Sequence, residues 1–409
     1  MLDTISPTLE FSNLINAAQM VARPRFESAR RLLLRVATIW CMFAAAQAQT
    51  AKKIVGYYYG KGRPNYQFSS VPVQKITHLI YSHAVPTAQG YCEMAHPDID
   101  IPNLQSLKSL RAQNSRLLVL LSVGGWSGSR YFSDVAATPL ARRRFSASCL
   151  HIVDKYGLDG IDIDWEYPVT GGKETDHKRK SDKGNFVLLL RQLRAGLNLL
   201  QRERHPLLTI ASTGYRNHLN DLSVEEIAKV LDWFNLMGYD FNEMQPKRTS
   251  HHSGLFAWPT SPTLNADAIK FANSDAAVQW YLNHGVPPAK IVLGLPFYGQ
   301  VWANVPDEHH GLFEPFRGRP GEDGTLSYRE IEQTYLPTYT RYWDEQSKAA
   351  WLYNGTTKIM ISYEDEESIA AKAKYVIQKH LAGIMFWDLG QDDRKSTLLE
   401  AINKALAGD

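Results

Sequence analysis

"GLDGIDIDWEYP", residues 157–168, sets Asp159, Asp162, Asp164 and Glu166 inside an apolar, strand-like stretch. Side chains alternate faces along a strand, so Asp162, Asp164 and Glu166 share one face while Asp159 falls off that parity. Three carboxylates on one inward face, ending at the C-terminal edge of a parallel strand, lie where barrel enzymes keep their chemistry. Like charges that close cannot all ionise, so at least one pKa must rise. The result is a proton donor near neutral pH beside an ionised neighbour.

Seven similar runs surround this one. "IVGYYYG" (54–60), "ITHLIYSHAV" (76–85) and "RLLVLLSVGGW" (116–126) precede it. "LLTIASTG" (207–214), "WFNLMGYDF" (233–241), "KIVLGLPFYG" (290–299) and "AGIMFWDLG" (382–390) follow it. Helical patterns lie between them, among them residues 185–203. "SVEEIAKVL" has Ser223 and Glu226 at capping-box spacing, and "DAAVQWYLNHG" ends on Gly285, a natural helix stop. Near-continuous apolar strands alternating with helices predict a parallel sheet covered on its outer face, an α/β architecture. No glycine-rich phosphate loop follows the first strand, which favours a closed (β/α)8 TIM barrel over an open doubly wound sheet. The stretch 303–361 is too long for a simple loop and reads as a small α+β insertion between strand seven and helix seven. The barrel then comprises 49–302 and 362–409.

The rest of the composition narrows the function class. The net charge is only +3 over 409 residues, so nothing steers the chain to nucleic acid or to an acidic membrane surface, and a neutral ligand is admissible. Tryptophan and tyrosine are abundant, and their flat rings suit the apolar faces of ligands. Arg23, Arg25, Arg30 and Arg31 precede an apolar run (32–46) and the small-x-small sequence Ala46-Gln47-Ala48. That order predicts a secretory signal over 1–48 and a protein exported to the periplasm or beyond. Cys92 and Cys149 would remain after cleavage, either paired or as buried thiols.

"DGIDIDWEYP" resembles the D-x-x-D-x-D-x-E signature of family 18 glycoside hydrolases, the chitinase family. "SVGGW" (122–126), "MGYDF" (237–241), "GLPFYG" (294–299) and "GIMFWDLGQDD" (383–393) resemble that family's strands three, six, seven and eight. The insertion resembles the one in its deep-cleft branch. The resemblance implies a secreted, retaining hydrolase of β-1,4-linked N-acetylglucosamine polymers that needs no cofactor or metal and acts as a monomer. It also implies roles. Glu166 would be the general acid, Asp164 the group orienting the substrate's acetamido N–H, and Asp162 its proton-sharing neighbour. Tyr239 would donate to the acetamido oxygen, Asp240 would hold the same sugar, and Trp387 would form its floor. Tyr57 and Trp126 match cleft-lining positions. Met237, packing beneath the site, and Tyr298 count with them as substrate-binding residues. Asp159, Ser122, Gly124 and Gly125 would be structural support.

Two positions depart from the family pattern. Gln300 follows Gly299 where an arginine is common, so an arginine contact is lost or remodelled. His83 stands on strand two where an aromatic is usual, open to either a contact with ligand or carboxylate or a core role. The paired histidines 251–252 and 309–310 lack metal-ligand spacing. Two other readings share the sequence: the same mechanism on peptidoglycan or an N-glycan core, and a sugar-binding lectin. The lectins of this fold usually replace the position held here by Glu166.

Overall fold

The computed structural model describes residues 51–61, 66–259 and 264–408, so the expected secretory signal lies outside the described residues. Eight strands run β1 (Lys53–Tyr59), β2 (His78–Pro86), β3 (Leu118–Gly124), β4 (Gly160–Asp164), β5 (Leu207–Thr213), β6 (Trp233–Met237), β7 (Ile291–Pro296) and β8 (Gly383–Trp387). Each pairs in parallel with its neighbour in sequence, and β1 also pairs with β8. The sheet therefore closes into the (β/α)8 barrel that the alternating pattern predicts. A short strand, Cys92–Met94, adds antiparallel to β2.

Strand alternation sorts the core into two parts. Val55, Tyr57, Ile80, Leu120, Trp233, Val292 and Met385 meet inside the barrel. Residues of opposite parity, such as Ile54, Leu79, Val119, Ile161 and Leu293, join the larger cluster that packs under the helices. Burial on both faces explains why the strands read as unbroken apolar runs. The inward polar residues Ser122, Asp162, Thr209 and Asn235 are all fully enclosed, so they must satisfy one another.

Two local expectations fail for identifiable reasons. The helix expected over 185–203 spans Asp182–Leu197. Beyond it Leu199 is 82% exposed and gains no burial from continuing the helix, while Leu200 turns back onto the core. Ser223 makes no side-chain cap: its backbone, at φ −94° and ψ 65°, is not in the extended conformation of a cap residue, and Arg191 and Lys229 hold the Glu226 carboxylate away from its return bond over the short helix Val224–Ala228. Gly285 does end the Ser274–Asn283 helix, at φ +80°. Cys92 and Cys149 are buried free thiols. Among the described residues no helix is long and apolar enough to cross a membrane.

A second, antiparallel sheet lies between β7 and the helix Glu366–Gln378. Its spatial order is Thr325–Ser327, Tyr298–Ala303, Ile359–Tyr363, Ala349–Asn354 and Thr340–Asp344. It therefore extends past 303–361 at both ends, and the run 290–299 belongs to two strands rather than one. β7 stops at Pro296, which has no N–H to continue a ladder, and Tyr298 opens the second sheet.

The chain returns from that sheet through a buried ion pair. Glu364 follows the Ile359–Tyr363 strand and accepts from Lys372 of the next helix, from Ser253 and from Ser368. Removing one partner of such a pair strands an uncompensated buried charge. Lys372→Met is expected to lower stability by about 3–5 kcal/mol, and adding Glu364→Leu to recover most of it. Urea unfolding of the single and double variants measures both.

Candidate active site

Parallel register sets the centre of the site. Ser122 on β3 and Thr209 on β5 lie opposite Asp162 on β4, so all three side chains point into the barrel at one level. Asp162 accepts four hydrogen bonds. Tyr57 Oη (2.9 Å) and Ser122 Oγ (3.0 Å) reach Oδ2, while Thr209 Oγ1 (2.6 Å) and Asn235 Nδ2 (3.1 Å) reach Oδ1. Burial raises the Asp162 carboxyl above the usual carboxylate range, and these four donors oppose that rise.

Asp164 sits one inward step further along β4 and is treated differently. No protein group among the described residues hydrogen-bonds its buried Oδ1, and His83 Nε2 stands 3.5 Å from Oδ2. Burial first, and the Asp162 charge second, push its carboxyl well up. Glu166 lies past the end of β4, where its backbone N–H donates to Ser129 Oγ at 2.9 Å. Its carboxyl is also pushed well up, by burial and then by Asp164. Three carboxyls in one enclosure thus hold fewer than three charges, with a protonated acid at the open end.

Aromatic rings surround this group. The Trp387 ring lies 5.6 Å from that of Tyr57 and stacks on His83 at 5.6 Å and 28°. Met237 and Tyr239 pack on the same inner cluster. Burial and the nearby Asp164 raise the Tyr239 phenol well above its ordinary value, which keeps it a hydrogen-bond donor. Trp126, 49% exposed, stands open beyond the end of β3. Tyr57 is buried and gives its hydroxyl to Asp162, so it supports that carboxylate.

Asp240 follows β6 in a left-handed conformation, φ 61°. Its Oδ2 accepts from Tyr298 Oη (2.6 Å) and its Oδ1 from Gln300 Nε2 (2.7 Å), with His252 Nδ1 at 3.6 Å from Oδ1. Burial alone would raise its carboxyl. His252, Tyr298 and Gln300 together hold it below the ordinary value. Tyr298 is therefore spent on Asp240 and is itself buried. A cavity of about 150 Å³ opens nearby, bordered by Asn242, Glu243, Gln245, Trp302 and Arg319. Asp159 lies at the opposite end of β4, tied to Arg111 and to the Val119 N–H, away from the other acids.

Residues 53–392 match the description of glycosyl hydrolases family 18. The chain belongs to that family. Chitinase A1 of Niallia circulans is 33% identical, over 86% of this chain and 58% of its own, so this chain spans little more than half of that relative. Chitinase B of Serratia marcescens is 31% identical over 87% of this chain and 84% of its own. Chitinase ChiA74 from Bacillus thuringiensis superposes with a TM-score of 0.80 at 31% identity, covering 88% of this chain and 70% of that one. A family 18 N-acetylglucosaminidase from Paenibacillus barengoltzii superposes at 0.74 and 33% identity, over 87% and 99% of the two chains.

Within this family 18 barrel, several contributors escaped the sequence reading. Thr209 and Asn235 were identifiable in principle, since strand parity aims both inward. His252 comes from a loop after β6, and nothing local marks it as a neighbour of Asp240. The histidines at 251 and 252 do have acidic partners, Asp344 and Asp240, supplied by tertiary structure.

Gly124 and Gly125 make the crowding possible. Both have positive φ, and a Cβ on Gly124 would lie 2.1 Å from the Asp164 carbonyl oxygen. Gly124→Ala must therefore displace the end of β4. A stability loss on the order of 2–3 kcal/mol is expected, with turnover falling by more than the residual folded fraction explains. Thermal melts and kcat measured on the same preparation separate the two effects.

Proposed function

We propose that this family 18 chain hydrolyses β-1,4 linkages between N-acetylglucosamine units of chitin or chitooligosaccharides, with the substrate's acetamido oxygen as nucleophile. The observation that carries the reading is the pairing of Asp164 with Glu166. Asp164 Oδ1 is a buried acceptor with no protein donor, suited to an amide N–H from outside, and Glu166 is a carboxyl held protonated beside it. Neither fits a carboxylate nucleophile, and family 18 is a known exception to that route.

In the first step Glu166 gives its proton to the glycosidic oxygen while the acetamido oxygen closes on the anomeric carbon. The leaving sugar departs with the proton and an oxazolinium ion remains. Asp164 orients the N–H and stabilises the positive charge, and Tyr239 donates to the acetamido oxygen. Asp162, steadied by its four donors, shares a proton with Asp164. Glu166 then takes a proton from water as the water oxygen bonds the anomeric carbon and the carbon–acetamido oxygen bond breaks, restoring the acetamido group and the β configuration. Trp387 supports the apolar face of the reacting sugar, Asp240 holds its hydroxyls, and half-exposed Trp126 offers a platform for a neighbouring unit. No cofactor enters this scheme. Export belongs to the same reading and rests on the basic, apolar, small-residue order before Gln49.

The likeness to a solved N-acetylglucosaminidase supports a second reading, release of single sugars from chain ends. Product lengths from defined chitin oligomers separate it from internal cleavage.

Glu166→Gln is expected to lower kcat by about 10²–10⁴-fold while oligomer binding by calorimetry stays near the parent's. Parent-like turnover in that variant, or hydrolysis of glucose oligomers that lack the amide, would sink the proposal. A pH profile tests the electrostatics. Glu166 must be protonated, so kcat/KM falls as pH rises through its pKa. Asp164→Asn removes a charge that raises this pKa, so the residual activity should lose its alkaline limb at lower pH than the parent.

A further inference from the structure

Gln300 occupies the strand position where the family commonly has arginine, yet a guanidinium still reaches that spot. Gln300 is buried on the Tyr298–Ala303 strand and turns its two amide ends in opposite directions. Its Nε2 donates to Asp240 Oδ1 at 2.7 Å, and its Oε1 accepts from an Arg319 terminal nitrogen. Cation, amide and carboxylate thus stand in line with every donor facing an acceptor. Reversing the amide would break both links.

Arg319 comes from the inserted segment, just ahead of the Thr325–Ser327 strand, and its head is held on several sides. Nε donates to the Val301 carbonyl (3.0 Å), the terminal nitrogen to the Gly324 carbonyl (3.1 Å), and the plane lies over the Trp302 ring at 5.1 Å. Gly324 has φ +81°, and a Cβ there would come 2.6 Å from Arg319 Nε, so the turn leaves room for the guanidinium. Part of Arg319 still faces solvent, where water screens a bare charge. A chain of aligned hydrogen bonds polarises along its length and carries the effect further than charge alone.

We propose that Arg319 and Gln300 form a positioning relay that keeps Asp240 ionised and aimed at the sugar, with the arginine supplied by the inserted segment rather than by residue 300. The relay acts through Asp240 and touches no reacting atom. It rests on the reading that Asp240 contacts substrate. Tyr298 and His252 also contact this carboxylate, and Glu166, Glu243, Tyr239, Tyr167 and Tyr215 face it at longer range, which leaves Oδ1 dependent on Gln300 for its short hydrogen bond.

The test uses Arg319→Met, which keeps a stem against Trp302 and removes the charge, and the double variant Arg319→Met/Gln300→Arg, which returns an arginine to residue 300. Carbon-13 NMR titration of the Asp240 carboxyl, assigned against Asp240→Asn, reads the relay without needing turnover. The Asp240 midpoint should rise in Arg319→Met and return in the double variant. On N-acetylglucosamine oligomers kcat/KM should fall about tenfold in Arg319→Met, with the acid limb displaced to higher pH and the melting temperature little changed. The double variant should recover most of the rate. An Asp240 titration unmoved by Arg319→Met, or left displaced in the double variant, overturns the relay. A parent with no turnover on these oligomers sinks the substrate reading instead, while the titration still decides the relay.

Discussion

Everything at this site follows from crowding carboxyl groups into the barrel, two of them buried and the third at its open end. An ionised carboxylate in a dry barrel must be given donors, must lose its charge, or must await a ligand that supplies what the protein withholds. All three solutions occur within five residues. Asp162 is saturated with four donors. Glu166 keeps its proton. Asp164, between them, has one oxygen that no described protein group satisfies. The differences come from the number of neighbours each register position provides, since the residue chemistry of the two aspartates is the same.

Period and parity were the legible part of the fold. Eight apolar runs with helical patterns between them specify a covered parallel sheet, and alternation along 157–168 separates the inward acids from Asp159 without any structure. Strand ends were less legible. Glu166 sits beyond β4, and the run ending at Gly299 divides at Pro296. Local pattern does not report where a ladder runs out of partners. Ser223 shows the same limit at a helix start: the spacing for a capping box is present, but the backbone of Ser223 is not extended and the Glu226 carboxylate is held by Arg191 and Lys229.

The site divides along similar lines. Counting in twos along 157–168 put Asp162, Asp164 and Glu166 on one face, while Ser122, Tyr239 and Trp387 were placed by the likeness of their motifs to the family's strands. Residues delivered by long connections could be placed neither way. His252 reaches Asp240, and Arg319 reaches Gln300 behind it, from segments whose sequence has no periodicity tied to the barrel, so the departure at residue 300 did not disclose its guanidinium partner. The tie between the Tyr57 hydroxyl and Asp162 was not legible either, because it joins β1 to β4 across the barrel.

The junction between the two sheets decides how firmly one is tied to the other. A single residue, Phe297, separates β7 from the strand that opens the inserted sheet. Its N–H bonds the Trp387 carbonyl at 2.7 Å and its carbonyl accepts from the Tyr328 N–H at 2.9 Å. Both peptide groups of the connector are thus fastened, one to the barrel and one to the insertion. Such a splice leaves no slack for a hinge, so at this crossing the inserted sheet is braced directly against the barrel and the two answer to a strain as one piece.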